Sequence, residues 1–283
     1  MQSPVFTQIA TEYATKNHLA DVVFKGKGNF KETFRATTND GLFVALKILD
    51  PQKCSLERSQ REIQTMMKCN SPLIAKLYHH GSFTSKDNKT YYFCIEEYMD
   101  GGSLAEQISG GILPPNTARQ YTITLVEALD YLKSMRIVHR DIKPENIMFR
   151  SSSPGPILVD LGIARDLSES SLTPTWLPRG PGTPYYSAPE QLNNEKHLID
   201  WRTDQFSLGI VISICLTGAH PFSEIGMAKG DTVAAVAARK PCTSAFEKRM
   251  SDIGFSFVVK MLDPWPHRRY LSPGELLSDM RKV

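Results

Sequence analysis

The order of apolar and polar positions divides the chain into a strand-rich first third and a helix-rich remainder. Near the start, Phe6, Ile9, Ala10 and Tyr13 recur at i, i+3, i+4 and i+7, one face of a helix. Ser3-Pro4 ahead of them reads as a capping hydroxyl followed by proline at the first helical position. Strand-like segments follow at Asp21–Lys25, Phe30–Ala36 and Leu42–Leu49, the last two joined by the turn Asn39-Asp40-Gly41. A helical pattern runs from about Leu56 to Lys68, and further strand-like runs cover Leu73–Tyr78 and Tyr91–Glu97. After Gly101-Gly102 helical periodicity dominates. Along Thr117–Lys133, Tyr121, Leu125, Ala128, Leu129 and Leu132 share one face, and Ser151–Pro156 is a polar turn between short strands. The pattern predicts an α+β fold of two lobes, 1–99 and 100–283, joined near Met99–Gly102. Leu172–Pro184, with Pro174, Pro178, Pro181 and Pro184, is predicted to be a long irregular loop, a feature more often functional than not in a compact domain.

Composition narrows the function classes. The chain has 283 residues, 41% hydrophobic and 22% charged, an ordinary globular balance. A net charge of +3 without a concentrated basic patch argues against nucleic acid as a partner. The five cysteines fall in no metal-ligand spacing, so the chain reads as reduced, intracellular and cytoplasmic. The apolar run Leu208–Leu216 is far shorter than the ~20 residues of a membrane span, so no membrane segment is expected within this chain.

The chemistry is concentrated in His139-Arg140-Asp141-Ile142-Lys143-Pro144-Glu145-Asn146. Phosphoryl transfer from ATP needs an acceptor for the substrate hydroxyl proton, metal ligands and cations near the phosphates. Asp141 suits the first task, Asn146 the second and Lys143 the third. Polar groups this dense beside the apolar run Ile147–Phe149 have no packing role of their own.

The same run resembles the HRDxKxxN catalytic loop of the protein kinases at every fixed position. Other segments follow in that family's order. Val44-Ala45-Leu46-Lys47 resembles its VAIK strand, and Asp160-Leu161-Gly162 its DFG element with leucine for phenylalanine. Gly182-Thr183-Pro184-Tyr185-Tyr186-Ser187-Ala188-Pro189-Glu190 is similar to the segment that closes the activation loop. Asp204-Gln205-Phe206 resembles the start of the central helix of the second lobe, and Gly218 its end. Asp263-Pro264 with Arg268-Arg269 resembles the element whose arginine pairs with the glutamate at Glu190, with the choice between the two arginines open.

The resemblance implies a small antiparallel-sheet lobe with one main helix and a larger helical lobe. It also implies ATP and Mg²⁺ as cofactors and a protein substrate with serine or threonine acceptors. Lys47 would grip the α- and β-phosphates and pair with Glu62, and Asp160 and Asn146 would hold the metal. Gly26, Gly28 and Phe30 would cover the nucleotide, although Lys31 and Thr33 depart from the glycine-rich pattern. The adenine end would meet Ala45, the backbone of Glu97 and Met99, Ser103 and Met148. That alignment puts Glu96 at a position usually apolar or threonine, where a carboxylate needs a partner.

Lys143 and Thr183 are serine/threonine-type choices, and Asp160–Arg165 is similar to bacterial eukaryotic-like kinases. A pseudokinase scaffold and an aminoglycoside-type phosphotransferase are the competing readings. Arg140 is expected to bind a phosphate on Thr173 or Thr175, or else the proline-rich loop is pre-ordered.

Overall fold

In the computed structural model, residues 3–28, 31–49, 63–161, 165–166, 182–224 and 226–282 are described. The chain forms two compact units, Met1–Asp100 and Gly101–Val283.

The first unit begins with helix α1 (Pro4–Lys16). Pro4 sits in the first turn, but the Ser3 hydroxyl makes no capping bond, contrary to the sequence reading. Instead the Ser3 carbonyl accepts from the Thr7 hydroxyl at 3.2 Å. Five antiparallel strands follow: β1 (Ala20–Lys27), β2 (Lys31–Thr37), β3 (Phe43–Leu49), β4 (Leu77–Thr84) and β5 (Thr90–Glu97). Their order in the sheet is β1-β2-β3-β5-β4. The β2–β3 turn is closed by Thr38 N–H donating to Leu42 O at 2.9 Å, with Gly41 at φ 82°. The fourth strand lies further along the chain than the apolar run Leu73–Tyr78 suggested. As an edge strand it pairs on one side only and is partly exposed along its length, and its His79-His80-Gly81-Ser82 stretch offers no apolar alternation to read.

Strand β3 is buried from Val44 to Leu49 because both faces of the sheet are covered. On one face α1 lays Ile9, Ala10 and Tyr13 against Phe34, Leu46, Ile48, Tyr91 and Phe93. The Tyr13 and Phe93 rings lie 4.2 Å apart between centroids. On the other face Leu49 and Cys94 meet Ile63 of α2, whose described part covers residues 63–68. Full burial of each such side chain contributes roughly 1.5–3 kcal/mol relative to exposure.

The second unit contains α3 (Leu104–Ser109), α4 (Pro115–Ser134), the short strand β6 (Ile137–Val138), the hairpin β7 (Ile147–Arg150) and β8 (Ser153–Leu158), and β9 (Arg165–Asp166). Helices α5 (Pro189–Leu192), α6 (Trp201–Thr217), α7 (Lys229–Ala237), α8 (Ser244–Asp252), α9 (Ser256–Met261) and α10 (Pro273–Met280) complete it. The turn expected over Ser151–Pro156 is tighter than that, because β8 already starts at Ser153.

Helix α6 is the centre of this unit. Every residue from Thr203 to Ser213 is buried, as befits a helix enclosed on all sides by the rest of its unit. Its polar members are bonded: Ser207 and Ser213 donate to carbonyls one turn back, and Gln205 donates to Tyr270 O and accepts from Tyr270 N–H. Gly209 allows α9 to approach closely, since a Cβ there would lie 3.0 Å from Leu262 Cδ2. Asp200 caps the helix by accepting from Arg202 N–H at 2.8 Å. Among the described residues no helix is long and apolar enough to cross a membrane.

Candidate active site

The loop between β6 and β7 is held from below by a buried acid. Asp204 accepts from the backbone N–H groups of His139 at 2.7 Å and Arg140 at 2.8 Å. Burial pushes its carboxyl up to about 6, while His139 and the two amides pull the other way. His139, fully buried, donates from Nε2 to Val159 O at 3.1 Å and accepts at Nδ1 from Asp141 N–H at 3.3 Å. The carbonyl on one side and the amide on the other hold the ring in its orientation. Arg140 and Asp160 both have left-handed backbone, with φ 64° and 67°. Such positions cost of order 1–3 kcal/mol for non-glycine residues and persist only where surrounding bonds over-determine them.

Both oxygens of the Asp141 carboxylate are oriented. Oδ1 accepts from the Thr183 hydroxyl at 2.7 Å and the Thr183 N–H at 3.1 Å. Oδ2 accepts from Lys143 Nζ at 2.7 Å and Asn146 Nδ2 at 3.0 Å. Lys143 also donates to the Thr183 hydroxyl oxygen at 3.0 Å, and Asn146 Nδ2 donates to Asp141 O at 2.9 Å. The 3₁₀ turn Pro144–Asn146 and the bond from Val159 N–H to Asn146 O at 3.0 Å tie this loop to the strand end carrying Asp160. Asp141, Lys143 and Asn146 thus converge, and Asn146 lies beside the chain segment that leads into Asp160.

Gly182 docks the segment that leads into Thr183 onto this cluster. Its φ is 136°, and an added Cβ would overlap Gln191 Nε2 and lie 2.9 Å from Arg140 O. Gln191 Nε2 donates to that same carbonyl at 2.7 Å. Behind it, Glu190 and Arg269 form a two-pronged pair, 2.8 and 3.0 Å, with both side chains fully buried. Arg269, not Arg268, is therefore the partner of Glu190. Sequence reasoning found Thr183 only as a residue-type marker and missed its bond to Asp141, which no local pattern announces.

In the first unit, Lys47 Nζ lies 2.6 Å from Glu96 Oε2. The carboxylate at position 96 thus has a cation, met across neighbouring strands. Glu62 and Phe30 lie outside the described residues, as do Gly162 and the hydroxyl cluster that includes Thr173 and Thr175. Gly26 pairs with Thr33 in the β1–β2 ladder, and Gly28 N–H donates to Lys31 O at 2.8 Å. Ala45 and Met99 are buried, and Glu97 N–H donates to Lys76 O at 2.8 Å. In the second unit Ser103 caps α3: its hydroxyl accepts from Glu106 N–H at 3.2 Å, and Glu106 accepts from Ser103 N–H at 2.8 Å. Met148, half-buried, bridges to Ser103 through the backbone.

A family model described as the protein kinase domain matches residues 20–279. The chain belongs to the protein kinase family. This kinase domain is 33% identical over 268 residues to a Streptomyces coelicolor protein named as a probable serine/threonine-protein kinase, covering 90% of this chain and 38% of that one. It is 35% identical over 223 residues to a Bifidobacterium longum protein of the same description, PknB, covering 75% and 31%. It is 33% identical over 263 residues to the CBL-interacting serine/threonine-protein kinase 3 of Arabidopsis thaliana, covering 90% and 56%. The kinase domain therefore spans about a third to a half of the length of these relatives.

Proposed function

We propose that this kinase domain transfers the γ-phosphate of ATP to serine or threonine hydroxyls of a protein substrate, with Asp141 as the proton acceptor. The observation that carries the proposal is the Asp141 carboxylate, fixed through both oxygens by Lys143, Asn146 and Thr183. Asp141 orients the acceptor hydroxyl and takes its proton as the new oxygen–phosphorus bond forms. The bond between the γ-phosphorus and the bridging oxygen breaks, and ADP leaves. Lys143, bonded to Asp141, neutralises charge on the migrating group. Lys47 supplies a cation for the α- and β-phosphates.

Asn146 and Asp160 suit Mg²⁺, a hard cation that takes oxygen ligands and keeps several waters. Asn146 spends its amide nitrogen on Asp141, which leaves its carbonyl oxygen as a ligand of the right kind. Held by Asn146 and Asp160, the ion would supply positive charge to offset that of the phosphates. The serine/threonine preference is supported by the Lys143–Thr183 bond beside Asp141 and by the names of the relatives.

Radiolabelled ATP with a generic basic protein tests the reading. Incorporation on serine or threonine is expected to need Mg²⁺ and to vanish in Asp160→Asn. Labelled tyrosine alone would refute the acceptor class, and no labelled protein would refute transfer.

A further inference from the structure

Lys47 and Glu96 are both buried, at 7% and 2% exposure. They sit on adjacent strands of one rigid sheet. Ala45 pairs with Glu96 and Lys47 with Cys94, so Lys47 and Glu96 are diagonal neighbours on the same face, within reach of long side chains. Glu96 Oε2 stands 2.6 Å from Lys47 Nζ. Its other oxygen, Oε1, is buried with no hydrogen-bond partner among the described residues. Among the described residues the lysine is what compensates the carboxylate. A buried charge left without its partner is strongly unfavourable, so each of the two side chains constrains where the other can go.

We propose that Glu96 is a positioning residue for Lys47, anchoring the ammonium from the neighbouring strand. The inference rests on the reading that Lys47 grips the nucleotide phosphates. An anchor carried on β5 does not depend on the placement of a helix. The lysine keeps its direction for as long as the β3–β5 ladder is intact. Glu96 touches no reacting atom in this account and acts through Lys47 alone.

The test compares wild type, Glu96→Gln, Glu96→Asp and Lys47→Met in steady-state kinetics with Mg·ATP and a basic protein substrate. Glu96→Gln removes the charge and keeps an acceptor of the same reach. Its kcat/KM for ATP is expected to fall on the order of tenfold or more, as for other losses of positioning, while KM for the protein substrate stays within about twofold. Glu96→Asp keeps the charge on a side chain one methylene shorter and is expected to fall between the two. A loss of fold alone would not raise KM for one substrate and spare the other.

If Glu96→Gln fails to fold, Glu96→Asp carries the test: an intermediate ATP effect supports the proposal, and wild-type ATP constants overturn it. Wild-type ATP constants in a folded Glu96→Gln overturn it as well. An active wild type, an inactive Lys47→Met and a normal Glu96→Gln would sink this inference and leave the kinase reading standing. A wild type without transfer would sink the kinase reading. ATP affinity by calorimetry across the same variants would then decide the Glu96 claim, with a loss in Glu96→Gln supporting it and an unchanged affinity overturning it.

Discussion

Replacing Arg269 tests how the second unit holds its site segment. Arg269 is 1% exposed, and its guanidinium donates to Glu190 twice and to the carbonyls of Asp263, Arg202 and Pro264. The Glu190 carboxylate has Thr203 as a further donor at 2.9 Å, which cannot offset the lost cation. Arg269→Leu therefore leaves a fully buried carboxylate uncompensated, at a cost of about 3–5 kcal/mol. At roughly 2–4 °C per kcal/mol for a domain of this size, the melting temperature is expected to drop by about 6–20 °C. Exposed Arg268 provides the control, and Arg268→Ala is expected to stay within about 0.5 kcal/mol of wild type. In the double variant Glu190→Met/Arg269→Leu, with no buried charge left, part of the loss should return. Urea titrations and thermal melts of the four proteins measure these changes. A loss below about 1 kcal/mol in Arg269→Leu, or an equal loss in Arg268→Ala, would refute the assignment.

Two further perturbations follow from the geometry. His220 is buried, donating from Nε2 to Tyr185 O and accepting at Nδ1 from Phe222 N–H, and burial lowers its pKa to about 4. Its contribution to stability is fully present above the unfolded value near 6.5 and is lost as pH falls through 4, about 3 kcal/mol in all, so His220→Phe should flatten the stability–pH curve in that window. An unchanged slope would show that the ring does not control it. Gly182→Ala is expected to lower turnover roughly 10–100-fold by displacing Thr183 from Asp141, with little loss of melting temperature. Wild-type turnover in that variant would contradict the docking role given to the glycine.

Much of the molecule was legible in the chain because its signals are local. Asn39-Asp40-Gly41 specifies a turn by itself, Val44–Lys47 reads as a buried strand, and the residues proposed for the chemistry at Asp141 lie within eight consecutive positions. What escaped reading depends on partners distant in sequence. Strand β4 is an edge whose polar residues give no alternation to follow. The Ser3 cap failed because a capping residue type does not guarantee the rotamer that makes the bond. Arg268 and Arg269 are adjacent, and only the 3₁₀ turn Pro266–Arg268 decides which of them turns inward. Thr183 reaches Asp141 across 42 residues and Lys47 reaches Glu96 across 49, contacts set by register and docking rather than by any motif.

The central claim is that Asp141 serves the transfer step rather than nucleotide binding or folding. Single-turnover phosphorylation of a serine-containing substrate by wild type and Asp141→Asn, at saturating Mg·ATP, measures that step directly. The expected rate is lower by about 10²–10⁴-fold in the variant, the range of a lost general base, with ATP affinity and melting temperature close to wild type. Equal single-turnover rates in the two proteins would contradict it.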